Sequence, residues 1–574
     1  MTTEFLANAR AALLRERTPG GFWGGELSAS ALSTATAIFA LKSSGKPEFA
    51  PLVRAGSDWL IAHQNPDGGW GDTPLSSSNI STTCLCWAAL GDDNPLSVER
   101  ARHWIRASAG TLEPAPLAKV IADRYGKDRT FSVPILTMLA LAGKLGPDPW
   151  KLVPQLPFEL AALPFWFFRI VQLPVVSYAL PALIAIGQVK HRHRPTGNPL
   201  FRIPRWLAKG RTLRKLRAIQ PGTGGYLEAT PLTAFVAMSL IGAGNGDHAV
   251  VAESLRFLVR SMRPDGSWPI DTDLTTWVTT LAINALGGID DSAAVRAWLL
   301  KQQYREVHPF TRAAPGGWAW TALPGGVPDA DDTAGALLAL RRLGEPDDTA
   351  LSAVAAGVEW LLNLQNRDGG IPTFCKGWTG LPFDRSSNDL TAHALRAWFA
   401  WRDKLPSKLR GRMARGAARG LGYLANTQRP DGAWAPLWFG NQHGSEIENL
   451  TYGTSRVLRL GSALPKDCFD RGFAWLLANQ NPDGGWGGRA GTPSSIEETA
   501  LALDALAELP LGEPGRRGIE YLRIATRNGT HFPPSPIGFY FANLWYYEKL
   551  YPLIFTAAAL RRCEPAGGFG EPAA

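Results

Sequence analysis

Hydrophobic residues recur along this chain at helical spacing, in segments that are separated by glycine-rich turns. Leucine and alanine repeat three or four residues apart in TTWVTTLAINALG (275–287), TAGALLALRRLG (333–344) and ETALALDALAEL (498–509), which is typical of buried helices. Segments with the alternating pattern of β-strands are nearly absent. The pattern therefore predicts an all-α protein.

The turns between these segments are also repeated. Each full copy has an aromatic residue five positions before a glutamine and a tryptophan six positions after it. The full copies are DWLIAHQNPDGGW (58–70), YLANTQRPDGAW (423–434) and WLLANQNPDGGW (475–486), and FLVRSMRPDGSW (257–268) and WLLNLQNRDGG (360–370) are altered copies. Aspartate in such a turn can hydrogen-bond to the nearby backbone, and glycine adopts the positive φ angles that the turn needs. Helix pairs that lack the uniform period of open solenoids predict closed rings, in which Gln and Trp connect neighbouring repeats.

The composition adds a large apolar interior to this picture. A chain of 574 residues with 45% hydrophobic residues can form two domains. Its aromatic residues are mainly Trp (22) and Phe (24) rather than Tyr (11), which favours rings that line an apolar cavity. The five cysteines have no paired spacing, so neither a disulfide framework nor a zinc site is predicted.

Part of the formal charge of +9 comes from basic residues beside an apolar segment. Residues 170–189 contain no Lys, Arg, Asp or Glu, and they are followed by KHRHR (190–194) and RWLAKGRTLRKLR (205–217). Basic residues next to apolar ones suit anionic lipid, at ~1 kcal/mol each, rather than nucleic acid. Because prolines interrupt the segment, we expect residues 154–217 to dock on one membrane leaflet, with a buried hairpin or a true span as the alternatives.

The N-terminal sequence MTTEFLANARAALLRER has charges throughout and no continuous apolar core. It therefore predicts no secretory signal. Together with the docking segment, this predicts a peripheral, monotopic protein on the cytoplasmic side of the cell membrane.

The Gln and Asp-Gly-x-Trp repeat resembles the QW repeat of the squalene–hopene and oxidosqualene cyclase family, over essentially the whole chain. The resemblance implies two α/α barrels built from helix pairs. Residues 273–574 would form the catalytic barrel with the arm 1–20 packed on it, and residues 21–272 would form the second barrel with the docking segment. It also implies class II chemistry, in which an acid protonates a polyene and carbocations close the rings.

The sequence PDADDTAG (328–335) resembles the family's D-x-D-D-T-A acid motif at Asp329, Asp331 and Asp332. The alternative is a helix N-terminus, where aspartates are favourable, and we interpret the DDTA at 347–350 in that way. Neighbouring negative charges and a dry cavity disfavour ionisation. The middle group, Asp331, would therefore keep its proton until the substrate arrives.

A histidine partner would stabilise the carboxylate that remains after proton transfer. SNDLTAHALRAW (387–398) resembles the family's D-x-T-A-H motif and implies His393 for this role. Asp389, on the same helical face, would orient the imidazole and keep it charged; an unrelated buried His–Asp pair is the alternative. NLTYGTS (449–455) is similar to the family's Y-G-T segment and implies that Tyr452 assists or reloads the acid through water.

Aromatic rings can stabilise a moving, desolvated carbocation by ~2 kcal/mol or more each. The resemblance implies this role for Trp277, Trp320 and Phe532, and it implies Tyr546 as a further cavity residue. Packing of the repeat turns is the alternative interpretation of these rings.

Two departures from the family pattern concern the substrate. Pro372, in GGIPTF (369–374), stands where squalene–hopene cyclases have a tyrosine after the turn. Glu446, in NQHGSEIENLTYGTS (441–455), lies in the segment where they have a tryptophan. A polar end of the pocket would suit the aryl head group of a polyprenylated aromatic, as in meroterpenoid cyclases.

Squalene, cyclised to hopene-type pentacycles, is nevertheless the first prediction for the substrate. A diphosphate-ionising synthase would need a DDxxD-type magnesium site, which DDSAA (290–294) does not complete, and a protein prenyltransferase would need zinc ligands. No metal or cofactor is therefore expected. A non-catalytic α/α-toroid binding protein is the alternative from another functional class, and a homodimer is left open.

Overall fold

The structure, a computed structural model, describes residues 2–91, 93–126, 128–171, 178–444, 446–539 and 542–564. Its α-helices are α1 (Thr2–Arg15), α2 (Ala31–Ser43), α3 (Ala50–Ala62), α4 (Ile80–Leu90), α5 (Pro95–Ala109), α6 (Pro114–Tyr125), α7 (Arg129–Leu141), α8 (Phe165–Ile170), α9 (Leu180–His193), α10 (Pro199–Ala218), α11 (Thr230–Gly242), α12 (Ala249–Ser261), α13 (Thr275–Leu286), α14 (Ser292–Lys301), α15 (Ala330–Arg342), α16 (Asp348–Leu364), α17 (Asn388–Trp401), α18 (Ser407–Thr427), α19 (Leu450–Leu458), α20 (Lys466–Ala478), α21 (Ile496–Leu506), α22 (Glu513–Ala525) and α23 (Tyr551–Cys563). Short 3₁₀ helices lie at Pro47–Phe49, Pro149–Lys151, Phe158–Ala162, Tyr226–Glu228, Arg402–Lys404 and Gly461–Ala463.

Strands contribute very little to the fold. Among the described residues, the named strands are β1 (Ile537–Phe539) and β2 (Leu544–Tyr546), which pair antiparallel with Gly538 opposite Trp545. The predicted all-α class is therefore confirmed.

The second half of the chain forms a closed ring, which we call the C-terminal ring. Within the described residues, its inner layer runs α13, α15, α17, α19, α21 and α23, each packed on the next, and α23 packs back on α13. The helices α14, α16, α18, α20 and α22 surround this layer, and α1 from the start of the chain packs on α23. The inner helices are buried on nearly all sides, as expected for helices that are enclosed by an outer layer.

The first half forms a second ring, the N-terminal ring. Its inner layer is α2, α4, α7, α9 and α11, with α11 packed back on α2 among the described residues. Helices α3, α5, α6, α10 and α12 lie outside it. Each ring has its own hydrophobic core, so the prediction of two α/α barrels is confirmed, while the division of the chain at residues 21 and 273 stays a prediction.

The repeated turns connect neighbouring helix pairs through a glutamine, as expected. In each turn the glutamine Nε2 donates to two carbonyls. One belongs to a glycine four residues later, or thirteen residues later for Gln303, and the other lies on the next outer helix. The glutamines that do this are Gln64, Gln220, Gln303, Gln365, Gln428 and Gln480, at 2.7–3.2 Å. These paired bonds tie each turn to the next outer helix.

The tryptophan that ends a repeat turn hydrogen-bonds to the helix that precedes the turn. Trp434 Nε1 donates to the carbonyl of Leu424 and Trp486 Nε1 to that of Leu476, both at 2.8 Å. A Cβ atom added to Gly472 would lie only 2.5 Å from the Trp434 ring. Glycine at that position therefore allows the outer helix α20 to approach the ring closely.

The glutamine bonds generate a prediction about stability. Gln365 is buried and donates to Gly369 at 2.7 Å and to Gly416 on α18 at 2.8 Å. Because Gln365→Ala removes both bonds and takes this donor away from the buried Gly369 carbonyl, we expect a loss of about 1–3 kcal/mol, visible as a lower midpoint in thermal unfolding. Gln302 donates only to Trp298 at 3.0 Å among the described contacts, so Gln302→Ala is the matched control. An unchanged midpoint for Gln365→Ala would contradict this role.

Candidate active site

A repeated hydrogen bond fixes the height of each inner helix of the C-terminal ring. In the first turn of five inner helices, a threonine hydroxyl accepts the backbone N–H of the residue that ends the preceding repeat turn. The pairs are Trp23–Thr279, Trp318–Thr333, Ile371–Thr391, Trp434–Thr454 and Trp486–Thr499, at 2.9–3.0 Å. Residues at equal distance from these threonines therefore lie at equivalent levels of the barrel.

The candidate residues occupy two such levels. Two positions before the threonine, the upper level consists of Trp277, Asp331, Asp389, Tyr452 and Glu497. Two positions after it, the lower level consists of Leu281, Gly335, His393, Arg456 and Leu501. Residues four positions apart share one helix face. The repeat thus places the motif aspartates, Tyr452 and His393 on the inward faces of consecutive helices.

Asp329 and Asp332 hold the start of α15. Asp329 is its N-cap, and its Oδ1 accepts the backbone N–H of Asp332 at 2.9 Å. The Asp329 backbone N–H donates to the Trp318 carbonyl at 3.0 Å, which ties the motif to the turn before it. Both carboxyl groups are buried.

Burial changes the ionisation of this pair. It raises the pKa of Asp332 well above its usual value, and the charges of Asp329 and Asp331 raise it further. It also raises the pKa of Asp329 to about 7. A proton is therefore retained on this pair at neutral pH.

Asp331 is the acidic group of the motif that remains accessible. Its side chain is 20% exposed, and its Oδ1 lies 2.5 Å from Nδ1 of His393 on the neighbouring helix α17. Burial lowers the pKa of His393, although the charge of Asp331 acts in the opposite direction. The site therefore favours a neutral imidazole, which differs from the charged imidazole expected from the sequence.

Asp389 does not orient His393 in the expected way. Its Oδ1 accepts from the hydroxyl of Ser387 and from the Leu437 N–H at 3.4 Å, and no bond to His393 is found among the described contacts. Burial raises the pKa of Asp389 to about 6, and the charge of Asp331 adds to this. The carboxyl is instead held by Ser387, two residues earlier.

Tyr452 lies next to these carboxyl groups. Its ring stacks on Phe439 with centroids 4.0 Å apart. Burial raises its pKa well above the usual value, against the opposing charge of Arg456. The phenol therefore keeps its proton and can serve as a hydrogen-bond donor.

A row of aromatic rings runs beside the acid helix, which we call the aromatic row. Its successive ring centroids are 6.4 Å apart for Trp320 and Phe374, 5.9 Å for Phe374 and Trp438, 4.9 Å for Trp438 and Phe539, and 5.1 Å for Phe539 and Tyr546. Trp320 and Tyr546 were predicted from the sequence, whereas the three rings between them were missed. Phe374 and Trp438 lie in loops and Phe539 lies in the short strand β1; none of these segments has a periodic signal, and the aromatic side chains themselves were the only indication.

Trp277 and Pro372, two further predicted cavity residues, are both buried. Trp277 is buried at the upper level and donates through Nε1 to the Tyr551 hydroxyl at 2.8 Å. Pro372 is buried next to Thr373, whose carbonyl accepts from Ala330 at 2.8 Å and whose hydroxyl accepts from Trp438.

Phe532 is half-buried against the core of the C-terminal ring, outside the aromatic row. Glu446 is 60% exposed and pairs with Arg489 at 2.8 Å. It therefore faces solvent and differs from the polar cavity residue expected from the sequence. Its ion pair with Arg489, on a later loop, explains why the side chain lies at the surface.

Comparison with known proteins decides the family. The model of the squalene–hopene cyclase C-terminal domain matches residues 272–562, and that of the N-terminal domain matches residues 6–179. The chain belongs to the squalene–hopene cyclase family. The family predicted from the repeats and motifs is therefore confirmed.

Several relatives share this cyclase architecture. The chain is 27% identical to the squalene–hopene cyclase of Bradyrhizobium diazoefficiens, over 91% of this chain and 88% of that protein. It is 28% identical to copalyl diphosphate synthase of Streptomyces cyslabdanicus, over 86% and 84%. It is 26% identical to enfumafungin synthase of Hormonema carpetanum over 92% of this chain, but spans only 45% of that protein.

A solved structure has the same fold. The ent-copalyl diphosphate synthase from Streptomyces platensis matches with a TM-score of 0.54 and 19% identity, and the match covers 97% of this chain and 98% of that chain. At this identity the match shows the α/α-barrel fold of a cyclase. Among the described residues of this cyclase family member, no group of His, Cys, Asp and Glu side chains is arranged to hold a metal ion.

The buried acids of this cyclase generate a prediction about pH. Burial and the charge of Glu498 raise the pKa of Glu497 to about 8, so the folded state binds a proton that the unfolded state loses at lower pH. Its stabilisation is present in full below the unfolded pKa and is lost as pH rises through 8. Glu497→Gln, whose Oε1 can still accept the Ser535 N–H, should therefore gain thermal stability over the wild type at pH 9 more than at pH 5. An equal difference at both pH values would contradict the raised pKa.

Proposed function

We propose that the protein is a class II cyclase in which Asp331 protonates the terminal double bond of a neutral polyprenoid, with squalene as the first choice. The observation that carries this proposal is the pairing of an accessible carboxyl with His393 at 2.5 Å, beside two buried carboxyl groups. In this proposal, the π electrons of the alkene accept the proton of Asp331.

The proton transfer uses one oxygen of the carboxyl. With a proton on His393 Nδ1, the imidazole donates to Asp331 Oδ1, and the Oδ2 hydroxyl is left for the substrate. The alkene π electrons take this proton, a tertiary carbocation forms, and the electrons of the O–H bond remain on Asp331. The hydrogen bond from His393 stabilises the new carboxylate, as preorganised donors do.

The aromatic row supports the later steps. A carbocation that forms near these ring faces is stabilised electrostatically without being trapped. The final loss of a proton, or addition of water with loss of a proton, returns the product to a neutral state. Asp331 then regains a proton from water, for which Tyr452 is placed at the same level of the barrel.

The apolar character of the aromatic row favours a hydrocarbon substrate. The rings are apolar, and Glu446, which had suggested a polar pocket, faces solvent in a pair with Arg489. Pro372 stands where squalene–hopene cyclases have a tyrosine, and this difference keeps a polyprenylated aromatic as the alternative substrate. The names of the copalyl diphosphate synthase relatives add a prenyl diphosphate as a third substrate to test.

The acid and the substrate can be tested together. Purified enzyme in detergent and EDTA should convert squalene to a polycyclic product of equal mass, or to its hydrate, as shown by gas chromatography and mass spectrometry. Asp331→Asn should abolish turnover because the amide has no acidic proton, and His393→Ala should lose ~10²-fold or more. Geranylgeranyl-substituted hydroxybenzoate and geranylgeranyl diphosphate are the parallel substrates.

The outcomes separate the alternatives. Turnover of only the aromatic or only the diphosphate substrate would replace squalene while leaving the acid in place. Near wild-type turnover by Asp331→Asn, or release of inorganic diphosphate, would contradict the proposed chemistry. Failure to turn over any polyene would favour the non-catalytic binding protein.

We also propose that the protein takes its substrate from one membrane leaflet. Large apolar side chains are exposed around α8 and α10, with Trp166 at 62%, Ile170 at 71% and Trp206 at 74% exposure. Leu200, Phe201, Ile203 and Leu207 are also exposed there. Exposed apolar side chains in this number, which we call the patch, are typical of a membrane or protein contact, and Arg202 and Lys209 on the same helix suit anionic lipid.

The patch connects to the aromatic row. Trp378 Nε1 donates to the Val171 carbonyl at 2.9 Å, which joins α8 to the loop before α17. The Tyr178 ring lies 4.8 Å from that of Phe374, the second ring of the row. Residues 172–177, part of the predicted docking segment, lie outside the described residues. In the described part of the chain, no helix has the length and apolar character needed to span a membrane.

Membrane docking is testable by vesicle sedimentation. Trp206→Ser should reduce co-sedimentation with vesicles that contain anionic lipid, because it removes an exposed apolar anchor. Leu96, on α5, is equally exposed at 74% but lies outside the patch, so Leu96→Ser is the matched control. Equal binding by wild type and Trp206→Ser, or recovery of the wild type in the soluble fraction without detergent at low salt, would contradict docking.

A further inference from the structure

A cavity lies inside the C-terminal ring, below the acid. Its volume is about 60 Å³, and all six inner helices of the described ring contribute to its lining. His393 lines it together with Arg396, Arg456, Arg459, Asp504 and Arg561. The rest of the lining is mostly apolar and includes Leu281, Leu338, Leu501, Ile554 and Phe555, so guanidinium groups share this enclosed space with His393.

The guanidinium groups within this lining differ from what the fold requires. The inward positions of a closed helical ring are expected to be apolar, because buried charges are costly unless they are paired. Ion pairs explain Arg459, which binds Asp504 at 2.8 Å and Glu508 at 2.6 Å. The nearby Arg562, which is outside the lining, also binds Glu508, at 2.8 Å.

Arg456 is held in another way. It follows Tyr452 by four residues on α19, so both point into the ring. Its guanidinium carbon lies 5.2 Å from the Tyr452 ring centroid and 6.0 Å from that of Phe555. Its Nη2 is buried without a hydrogen-bond partner among the described residues. Two aromatic faces, rather than a carboxylate, therefore position this charge.

From this placement we propose that Arg456 is a positioning residue that makes Asp331 a stronger acid, an inference that rests on the proposed function. Arg456 occupies the same level as His393, one helix further around the ring, and the two share the cavity. Its stack against Tyr452 fixes that ring next to the acid level. Its charge favours the carboxylate that Asp331 becomes when the proton leaves.

The electrostatics of the neighbours agree with this role. Burial lowers the pKa of His393, and the charges of Arg456 and Arg396 lower it further, so that a neutral imidazole is favoured. Burial acts to lower the pKa of Arg456 itself, but Tyr452 and Asp331 outweigh it and the pKa is raised. Arg456 therefore stays charged beside the acid at every pH of interest.

Other titratable and charged groups lie around the acid and the cavity and set the background for a pH test. They are Asp329 and Asp332 on or next to α15, Asp389 and Arg396 on α17, Tyr452 and Arg459 on or next to α19, Asp504 and Glu508 on or next to α21, and Tyr551 and Arg561 on α23. None of them is changed in the variants below, so a shift reports the removal of the Arg456 charge.

The sign of the effect follows from the charge. Without the guanidinium, the Asp331 carboxylate is less favoured, so the acid stays protonated to higher pH. The same change weakens the acid, and proton transfer to the alkene slows. Arg456→Met should therefore lower kcat by about 10- to 100-fold, in the range of acid catalysis, and move the basic limb of the kcat profile to higher pH.

Arg456→Lys is the matched variant, because it keeps the charge and loses the planar stack. We expect its basic limb to stay close to that of the wild type. Circular dichroism and thermal midpoints identify a variant that has not folded, and Arg456→Gln then replaces Arg456→Met.

The outcomes test this inference separately from the proposed function. A basic limb in the folded neutral variant that coincides with the wild-type limb would overturn the inference, and so would equal shifts in the neutral and Lys variants. Loss of turnover in Asp331→Asn, with full turnover and an unshifted profile in Arg456→Met, would leave the proposed function standing and reject Arg456. Absence of polyene turnover in the wild type would reject the proposed function instead.

Discussion

The hydrogen bond from a turn N–H to a threonine hydroxyl is the interaction on which the rest of the C-terminal ring depends. It recurs at Thr279, Thr333, Thr391, Thr454 and Thr499. Each bond sets the height of one inner helix against its turn. Asp331 and His393 lie on neighbouring helices at levels that differ by one helical turn, and their side chains span this offset to come within 2.5 Å.

This geometry gives the acid an environment that a single motif could not supply. Asp329 and Asp332 are buried at the start of α15, where burial raises their pKa values and keeps a proton on the pair. Negative charge next to Asp331 is thereby limited, while His393 offers a hydrogen bond to the carboxylate. Differences in burial between three neighbouring carboxyl groups thus assign them different tasks.

The sequence predicted the parts of the structure that depend on local pattern. Helix pairs and their Gln and Trp connections follow from residue spacing within one repeat, as Gln365 and Trp434 show. The motif aspartates and His393 were found because the family motif carries them. These features need only short segments of the chain.

Features that depend on long-range packing were missed. Phe374, Trp438 and Phe539 come together from two loops and the short strand β1, so no periodic signal connects them. Glu446 was expected in a pocket, but Arg489 from a later loop draws it to the surface. Asp389 has the helical spacing for a bond to His393, yet the nearer Ser387 hydroxyl takes its carboxylate.

The central claim is that a proton from Asp331 starts the reaction, and turnover in D₂O tests it most directly. If Asp331 is reloaded from solvent between cycles, the CH carbon of the terminal double bond should receive a single deuteron, which mass spectrometry and NMR would locate on a methylene of the first ring, next to the carbon that carries two methyl groups. Asp331→Asn should give no such product. A cyclised product without solvent deuterium at that carbon would contradict initiation by this acid.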